Sequence, residues 1–300
     1  MAAERATIIF NPISGRAGRR AADAREMKRL LSLHDIDADL TATKGPGDAT
    51  RLAREAVSSG RELVVCHGGD GTINEVIQAM ALGSATLAVW AGGTSNVIAR
   101  ELGLPFDATR LAEVIVARKT IRASLGVASS ETAGDPKRRY FLMMAGIGLD
   151  ASVARGVNQR LKRRAGELAY WFSGIRHLLS WTPERFKILA GDSSFESTFT
   201  VIGKGKGYGG EMVMTPGAKL TDPEFEVFIL PPLASNFAYL RVLIACLRGR
   251  PEQTEATIIK AKTLRANSTN TPWVELDGEV VGPLPMTFEV VPDALSLIVP

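Results

Sequence analysis

The stretch "VVCHGGDGTINEVIQAM", Val64–Met80, passes from an apolar run through a glycine turn carrying one aspartate into a helix-spaced pattern. An apolar run of this length bounded by glycine reads as a buried strand, and the residues after the turn have helical spacing. A strand that leaves through glycines into a helix is one half of a βα unit. The units around it repeat the order. "ATIIF" is a short strand ended by Asn11 and Pro12, and "AADAREMKRLLSL" has helical spacing. "IDADLTAT" alternates as a strand, and "DATRLAREAVSS" reads as a helix with Asp48 as its expected N-cap. "TLAVW" is a further strand, followed by the short helix "SNVIARELG". This βαβα order predicts an α/β region with a parallel sheet and helices on both faces. Its glycine turns all follow strands, so they share the carboxyl edge, where ligands bind in such sheets.

The pattern changes near Ser124. From there strand-like runs dominate: "YFLMMAG", "FESTFTVIG", "FEVFIL", "EATIIKAKTLRA", "PWVELDG", "MTFEVV" and "LSLIVP". Two helix-like stretches interrupt them, around residues 161–181 and 236–247, and "SSETAGDPKRR" reads as a surface hairpin or loop. The expected division is therefore 1–123 as an α/β nucleotide-binding domain and 124–300 as a β-rich domain with helical insertions. A chain of 300 residues has the length for two such cores.

Composition narrows the class. The net charge of +4 is too small to argue for a nucleic-acid partner. Cys66 and Cys246 sit alone in apolar runs, which excludes a disulfide framework and favours a reduced, cytoplasmic setting. The opening "MAAERATIIFNP" does not read as a signal peptide, and no run reaches the roughly 20 apolar residues of a membrane-spanning helix. Membrane contact is expected to be peripheral.

The chemistry lies in the turns. In "HGGDGT" the glycines admit close approach of backbone N–H groups to a ligand, and the following helix start favours an anion. Asp70 would repel a bare phosphate, so its presence suits Mg²⁺ or a proton transfer nearby. Capping by Asp70 and Thr72 is the structural alternative. Two more turns, "FNPISGRAG" and "WAGGTSNVIAR", follow the first and fourth strands. Three polar turns converging on one edge fit a nucleoside triphosphate with Mg²⁺, although the chain has neither a GxxxxGK[ST] loop nor a GxGxxG at its first turn.

"NPISG", "GGDGTINEV" and "GGTSN", in this order, resemble the diacylglycerol kinase catalytic family, which includes soluble bacterial lipid kinases and sphingosine and ceramide kinases. "LKRRAGELAYWFSGIRHLL", "PGAKLTDPEFEVFIL" and "VELDGEVVG" are similar to its helical insertion, metal-binding segment and Asp-Gly-Glu motif. The resemblance implies ATP-dependent phosphorylation of a lipid hydroxyl. It also implies a Rossmann-like N-terminal domain and a β-sandwich C-terminal domain, with the nucleotide cleft between them. It places Asn11, Pro12, Ser14, Gly15, Thr43, Gly68, Gly69, Asp70, Gly71, Thr72, Asn74, Glu75, Gly93, Thr94 and Asn96 around the nucleotide. It assigns a structural Mg²⁺ to Asp222 with the backbone oxygens of Lys219 and Glu224. It makes Glu279 the proton acceptor for the lipid hydroxyl, beside Asp277, with Asp70 at the catalytic centre.

Three positions depart from the family pattern. Val97 and Ser124 stand where it commonly has aspartate, and Pro223 where it has glycine. A soluble-substrate phosphotransferase resembling NAD kinase, or a non-catalytic nucleotide- or lipid-binding module, remains an alternative. Lys204 and Lys206, in "GKGKGYGG", either face phosphates or solvate a loop. Arg160, Lys162, Arg163 and Arg164 precede an apolar stripe and suit either a packed helix or contact with an anionic membrane surface. His67 reads as structural or supporting, and His34 and His177 lack metal-ligand partners. A homodimer is left open.

Overall fold

The computed structural model describes residues 4–15, 19–131, 138–149, 182–208, 212–270 and 272–300. The basic run 160–164 and the helix-like stretch 161–181 lie outside them. The chain divides into two compact units, 1–125 with 292–300, and 126–291. The change in pattern at Ser124 falls next to the first crossing point. The return of 292–300 to the first unit has no compositional signature.

The first unit contains β1 (Glu4–Phe10), α1 (Arg20–Ser32), β2 (Ile36–Ala42), α2 (Asp48–Ser58), β3 (Leu63–Gly68), α3 (Asp70–Met80), β4 (Thr86–Ala91), α4 (Val97–Glu101) and α5 (Ala108–Ala117), followed by β5 (Thr120–Ser130), which leaves it. β2, β1, β3 and β4 lie side by side, all parallel. All six residues of β3 are buried, as expected of a central strand covered on both faces. α2 buries Ala49, Leu52, Ala53 and Ala56, the i, i+3, i+4, i+7 stripe of a helix packed along one side. The end of the last strand, β18 (Met286–Ile298), adds to β4 in parallel, with Ser296 opposite Thr86 and Leu297 opposite Leu87. One expectation needs correction. Asp48 is the first helical residue of α2, and the N-cap is Gly47 at φ 83°. Asp48 instead accepts from the Lys44 N–H and pairs with Arg51. The helix α5 has no counterpart among the elements read from the sequence.

The second unit is antiparallel. One sheet runs in the order β14 (Thr257–Ala261), β13 (Phe225–Leu230), β10 (Phe199–Gly203), β7 (Met144–Gly148), β16 (Trp273–Leu276), β17 (Glu279–Pro283). The other contains the first half of β18, β15 (Thr263–Asn267), β8 (Phe186–Ala190) and β9 (Ser193–Ser197). Ile147, Ile202, Phe225, Val227 and Val274 from the first sheet share a buried cluster with Phe186, Ile188, Leu264 and Phe288 from the second. That is the interior of a β-sandwich. Three runs read as single strands are each divided. "YFLMMAG" separates into β6 (Arg138–Phe141) and β7, "FESTFTVIG" into β9 and β10, and "EATIIKAKTLRA" into β14 and β15. All three breaks move the chain from one sheet to the other, a step that apolar patterning does not record. The helix α6 (Asn236–Leu247) has the bounds read from sequence, with Ser235 accepting from the Ala238 N–H at its start.

Candidate active site

In the first unit the three turns meet at the carboxyl ends of β1, β3 and β4. The Asn11 N–H donates to the His67 carbonyl at 3.0 Å and the Gly92 N–H to the Gly68 carbonyl at 2.8 Å. These bonds carry the sheet register past the strand ends. The approach is closest between the second and third turns. A Cβ on Gly93 would lie 2.6 Å from the Gly69 Cα, which no side chain tolerates. Gly15, at φ 59°, faces the Gly92 carbonyl, and a Cβ there would come within 2.6 Å of that oxygen. The glycines thus answer first to turn-on-turn packing.

The polar residues tie the same turns together. Asn11 Nδ2 donates to Thr72 Oγ1 at 3.2 Å, joining the first turn to α3. Asn96, held at φ 49°, accepts from the Gly93 N–H at 2.8 Å and donates to its carbonyl. Asp70 Oδ1 accepts from the Ile98 N–H at 3.2 Å, so its carboxylate reaches across to α4 and does not cap its own helix. α3 has no side-chain cap at Gly69. The first N–H groups of any helix lack intrahelical partners, so the start of α3 presents donors and a partial positive charge on this edge. Ser14, Thr94 and Pro12 lie in the same turns, and Thr94 is exposed. Thr43, buried, follows β2 and donates its N–H to the Phe10 carbonyl. Glu75 is engaged elsewhere: its carboxylate accepts from the N–H groups of Gly47 and Ala49 and caps α2. Asn74 is buried within α3.

Arg20 and His67 complete this frame, and no motif marks Arg20. From the first turn of α1, its guanidinium donates to the Ser14 carbonyl at 3.1 Å and the Gly92 carbonyl at 3.0 Å. It also contacts His67 Nε2 at 3.3 Å and pairs with Asp23. His67 is buried and stacks on Trp90 with ring centroids 3.7 Å apart. Burial pushes its imidazolium down to about 4, so the ring is neutral near pH 7. A neutral ring accepts at Nε2 from Arg20 while Nδ1–H donates to the Trp90 carbonyl at 3.3 Å. A cavity of about 330 Å³ opens beside them, lined by Arg20, Asp23, His67, Trp90, Phe106 and Asp107.

In the second unit, "LDGE" forms the reversal between β16 and β17. Asp277 and Gly278 both take positive φ, 48° and 86°, the geometry of a tight Asp-Gly hairpin turn. The Asp277 carboxylate accepts from the N–H groups of Leu142, Met143 and Met144 at 2.8, 2.9 and 3.0 Å. A carboxylate so committed holds the chain leading into β7. Glu279, two residues on, is about one-third exposed and paired with Arg139 of β6. Arg139 was not anticipated, since nothing in the sequence links the "PKRR" run to a turn 140 positions away.

The segment Lys219–Glu224 differs from what the resemblance implies. The Asp222 N–H donates to the Lys219 carbonyl, and the Glu224 carboxylate turns to Lys260 at 3.1 Å. The carbonyls of Asp222 and Glu224 both accept from Lys204 Nζ, the second at 3.2 Å. Lys204 is wholly buried, so neither earlier reading of it holds; Lys206 is exposed. Burial pushes the Lys204 ammonium down to about 8, opposed by the charges of Asp222 and Glu224. Among the described residues, no group of three or more His, Cys, Asp or Glu side chains is placed to hold a metal ion.

The model of the diacylglycerol kinase catalytic domain matches residues 5–128, and that of the YegS C-terminal NAD kinase beta sandwich-like domain matches 143–299. A diacylglycerol kinase of Bacillus subtilis is 31% identical over 290 residues, covering 95% of this chain and 93% of its own. A diacylglycerol kinase of Staphylococcus epidermidis is 30% identical over 296 residues, covering 95% and 89%. The crystal structure of a diacylglycerol kinase from Bacillus anthracis superposes with a TM-score of 0.79 at 24% identity, over 99% of this chain and 97% of that one.

Proposed function

The chain belongs to the diacylglycerol kinase family, and on that premise we propose that it transfers the γ-phosphate of ATP to the hydroxyl of a diacylglycerol-like lipid. The observation that carries this reading is the joining of three glycine turns around the uncapped start of α3. Backbone donors there suit the phosphates of a nucleotide. In this reading, residues 1–123 bind nucleotide and 124–300 receive the lipid. Asp70 supplies a hard oxygen donor among the N–H groups, which fits a phosphate accompanied by Mg²⁺. The ion would neutralise phosphate charge.

Glu279 is the proposed proton acceptor. A lipid hydroxyl needs a carboxylate within hydrogen-bond reach as it attacks phosphorus. Arg139 orients that carboxylate, and Asp277, whose oxygens are taken by three N–H groups, fixes the turn on which it stands.

A lipid substrate also requires a surface that meets the bilayer. The helix α6 supports this role. Phe237, Ile244 and Leu247 are exposed along it, Arg241, Arg248 and Arg250 are exposed beside them, and no acidic residue lies between Asn236 and Arg250. Apolar residues flanked by cations suit an anionic interface. No helix among the described residues is long and apolar enough to cross a membrane.

The direct test is incubation with labelled ATP and a panel of lipids in mixed micelles, followed by identification of the product. A phosphorylated diacylglycerol-class lipid, absent with Asp70→Asn, is expected. Label transfer to NAD or another soluble acceptor, or nucleotide binding with no product, would replace the reading by a soluble-substrate kinase or a binding module.

A further inference from the structure

Lys204 is a cation placed where no water reaches it. An ammonium taken out of water costs several kcal/mol unless oxygen atoms replace its hydration. Here two backbone carbonyls do so, those of Asp222 and Glu224, on either side of Pro223. Proline fixes its own φ, which restricts the relative aim of the two carbonyls. The lysine backbone is equally constrained. Its N–H and that of Gly205 both donate to the Met143 carbonyl, at 2.8 and 3.1 Å. Met143 in turn is held by the Asp277 carboxylate at 2.9 Å. The side chain therefore leaves a fixed strand end and reaches a fixed pair of acceptors.

The family resemblance implies that a structural Mg²⁺ belongs to this same segment, through Asp222 and the carbonyls of Lys219 and Glu224. The residues present do not fit one. Mg²⁺ requires near-octahedral oxygen ligands at about 2.0–2.1 Å. An ammonium offers donors and no lone pair, so it cannot be a ligand. It already takes the Glu224 carbonyl that the ion would need, and a second cation at that place would meet it at close range in a poorly hydrated site. The two arrangements exclude each other.

We propose that Lys204 is a covalently tethered cation that replaces a divalent metal at the Asp222–Glu224 bend, so that this segment folds and holds its shape without metal. The proposal concerns the second unit alone and does not depend on which molecule accepts phosphate. It also gives a role to Pro223, which stands where the family commonly has glycine.

The test begins with the full-length wild type in the absence of nucleotide. Its melting temperature is expected to be the same in EDTA and in millimolar magnesium chloride, and metal analysis after gel filtration is expected to find no stoichiometric magnesium. A rise of several degrees with magnesium that Asp222→Asn abolishes would overturn the proposal, because a ligand stabilises only what it binds. The second arm is Lys204→Ala. It is expected to melt several degrees lower in EDTA and to recover part of that loss in magnesium, which regains access to the vacated carbonyls and the Asp222 carboxylate. A variant that melts as the wild type does, or one that magnesium fails to rescue, would also overturn it. If Lys204→Ala does not fold, the wild-type measurement decides alone.

Discussion

The two units hold their chain reversals by opposite means. In the first, backbone rests on backbone: Gly69 meets Gly93, Gly15 faces the Gly92 carbonyl, and the side chains that intervene are short amides, a hydroxyl and one arginine. In the second, ionic side chains hold the backbone. The Asp277 carboxylate gathers three N–H groups and the Lys204 ammonium takes two carbonyls. The difference suits the roles proposed for the two regions. Bare backbone leaves donors facing outward for a phosphate. A turn pinned by Asp277 leaves Glu279, two residues away, in a fixed place on a rigid hairpin.

The largest effect should come from removing a pin. Asp277→Ala leaves three N–H groups without their acceptor, and at roughly 1–3 kcal/mol for each unsatisfied buried group the cost should be about 3 kcal/mol or more. Denaturant unfolding measures it. Unchanged stability would mean that the reversal is held by the strands alone. Next in size is the loss of chemistry without loss of structure. Glu279→Gln should lower turnover roughly 100-fold, with nucleotide affinity and melting temperature near those of the wild type. A variant that instead loses only nucleotide affinity would move Glu279 out of the role of base.

The backbone contact of the first unit can be tested with one methyl group. Gly93→Ala forces the second and third turns apart and should cost about 1–3 kcal/mol, as overpacking does. It should also weaken nucleotide binding while leaving the second unit's hydrogen-exchange protection intact. Protection lost equally in both units would contradict the contrast drawn above.

The smallest effect is a pH dependence from His67. Its pKa in the folded protein, about 4, lies below the ordinary value of 6.5. The unfolded chain therefore binds a proton that the folded one refuses as pH falls from 6.5 towards 4. Stability is lost over that window, by about 1 kcal/mol on going from pH 7 to 5.5. His67→Gln should flatten this part of the stability–pH curve. A curve equally steep in the variant would assign the acid sensitivity to other groups.

The sequence was most legible where physics acts locally. The apolar runs of β1, β3 and β4 and the glycines after them are local features, and so is the stripe of α2. Asp277 and Glu279 are singled out only through the resemblance of "VELDGEVVG" to the family's Asp-Gly-Glu motif, since the turn alone reads as a β-turn with solvated acids. What sequence reading missed acts at a distance. Arg20 meets Gly92 across 72 positions, Arg139 meets Glu279 across 140, and Lys204 meets Asp222 across 18. A lysine between glycines looks like a solvated loop until the fold buries it. In the same way, "FESTFTVIG" and "EATIIKAKTLRA" read as single strands because a chain crossing between sheets keeps its apolar alternation.

The last strand has a bearing on how the molecule is made. Residues 292–300 belong to the first unit, where Ser296 and Leu297 line up against Thr86 and Leu87 of β4. During synthesis, the parallel sheet emerges from the ribosome with β4 as an open edge, and the strand that covers it is translated more than 190 residues later. Until then the second unit must form as an insertion within an unfinished first one. Chains cut before residue 292 should therefore expose that edge and aggregate, even though every glycine turn and the Asp-Gly-Glu hairpin are present.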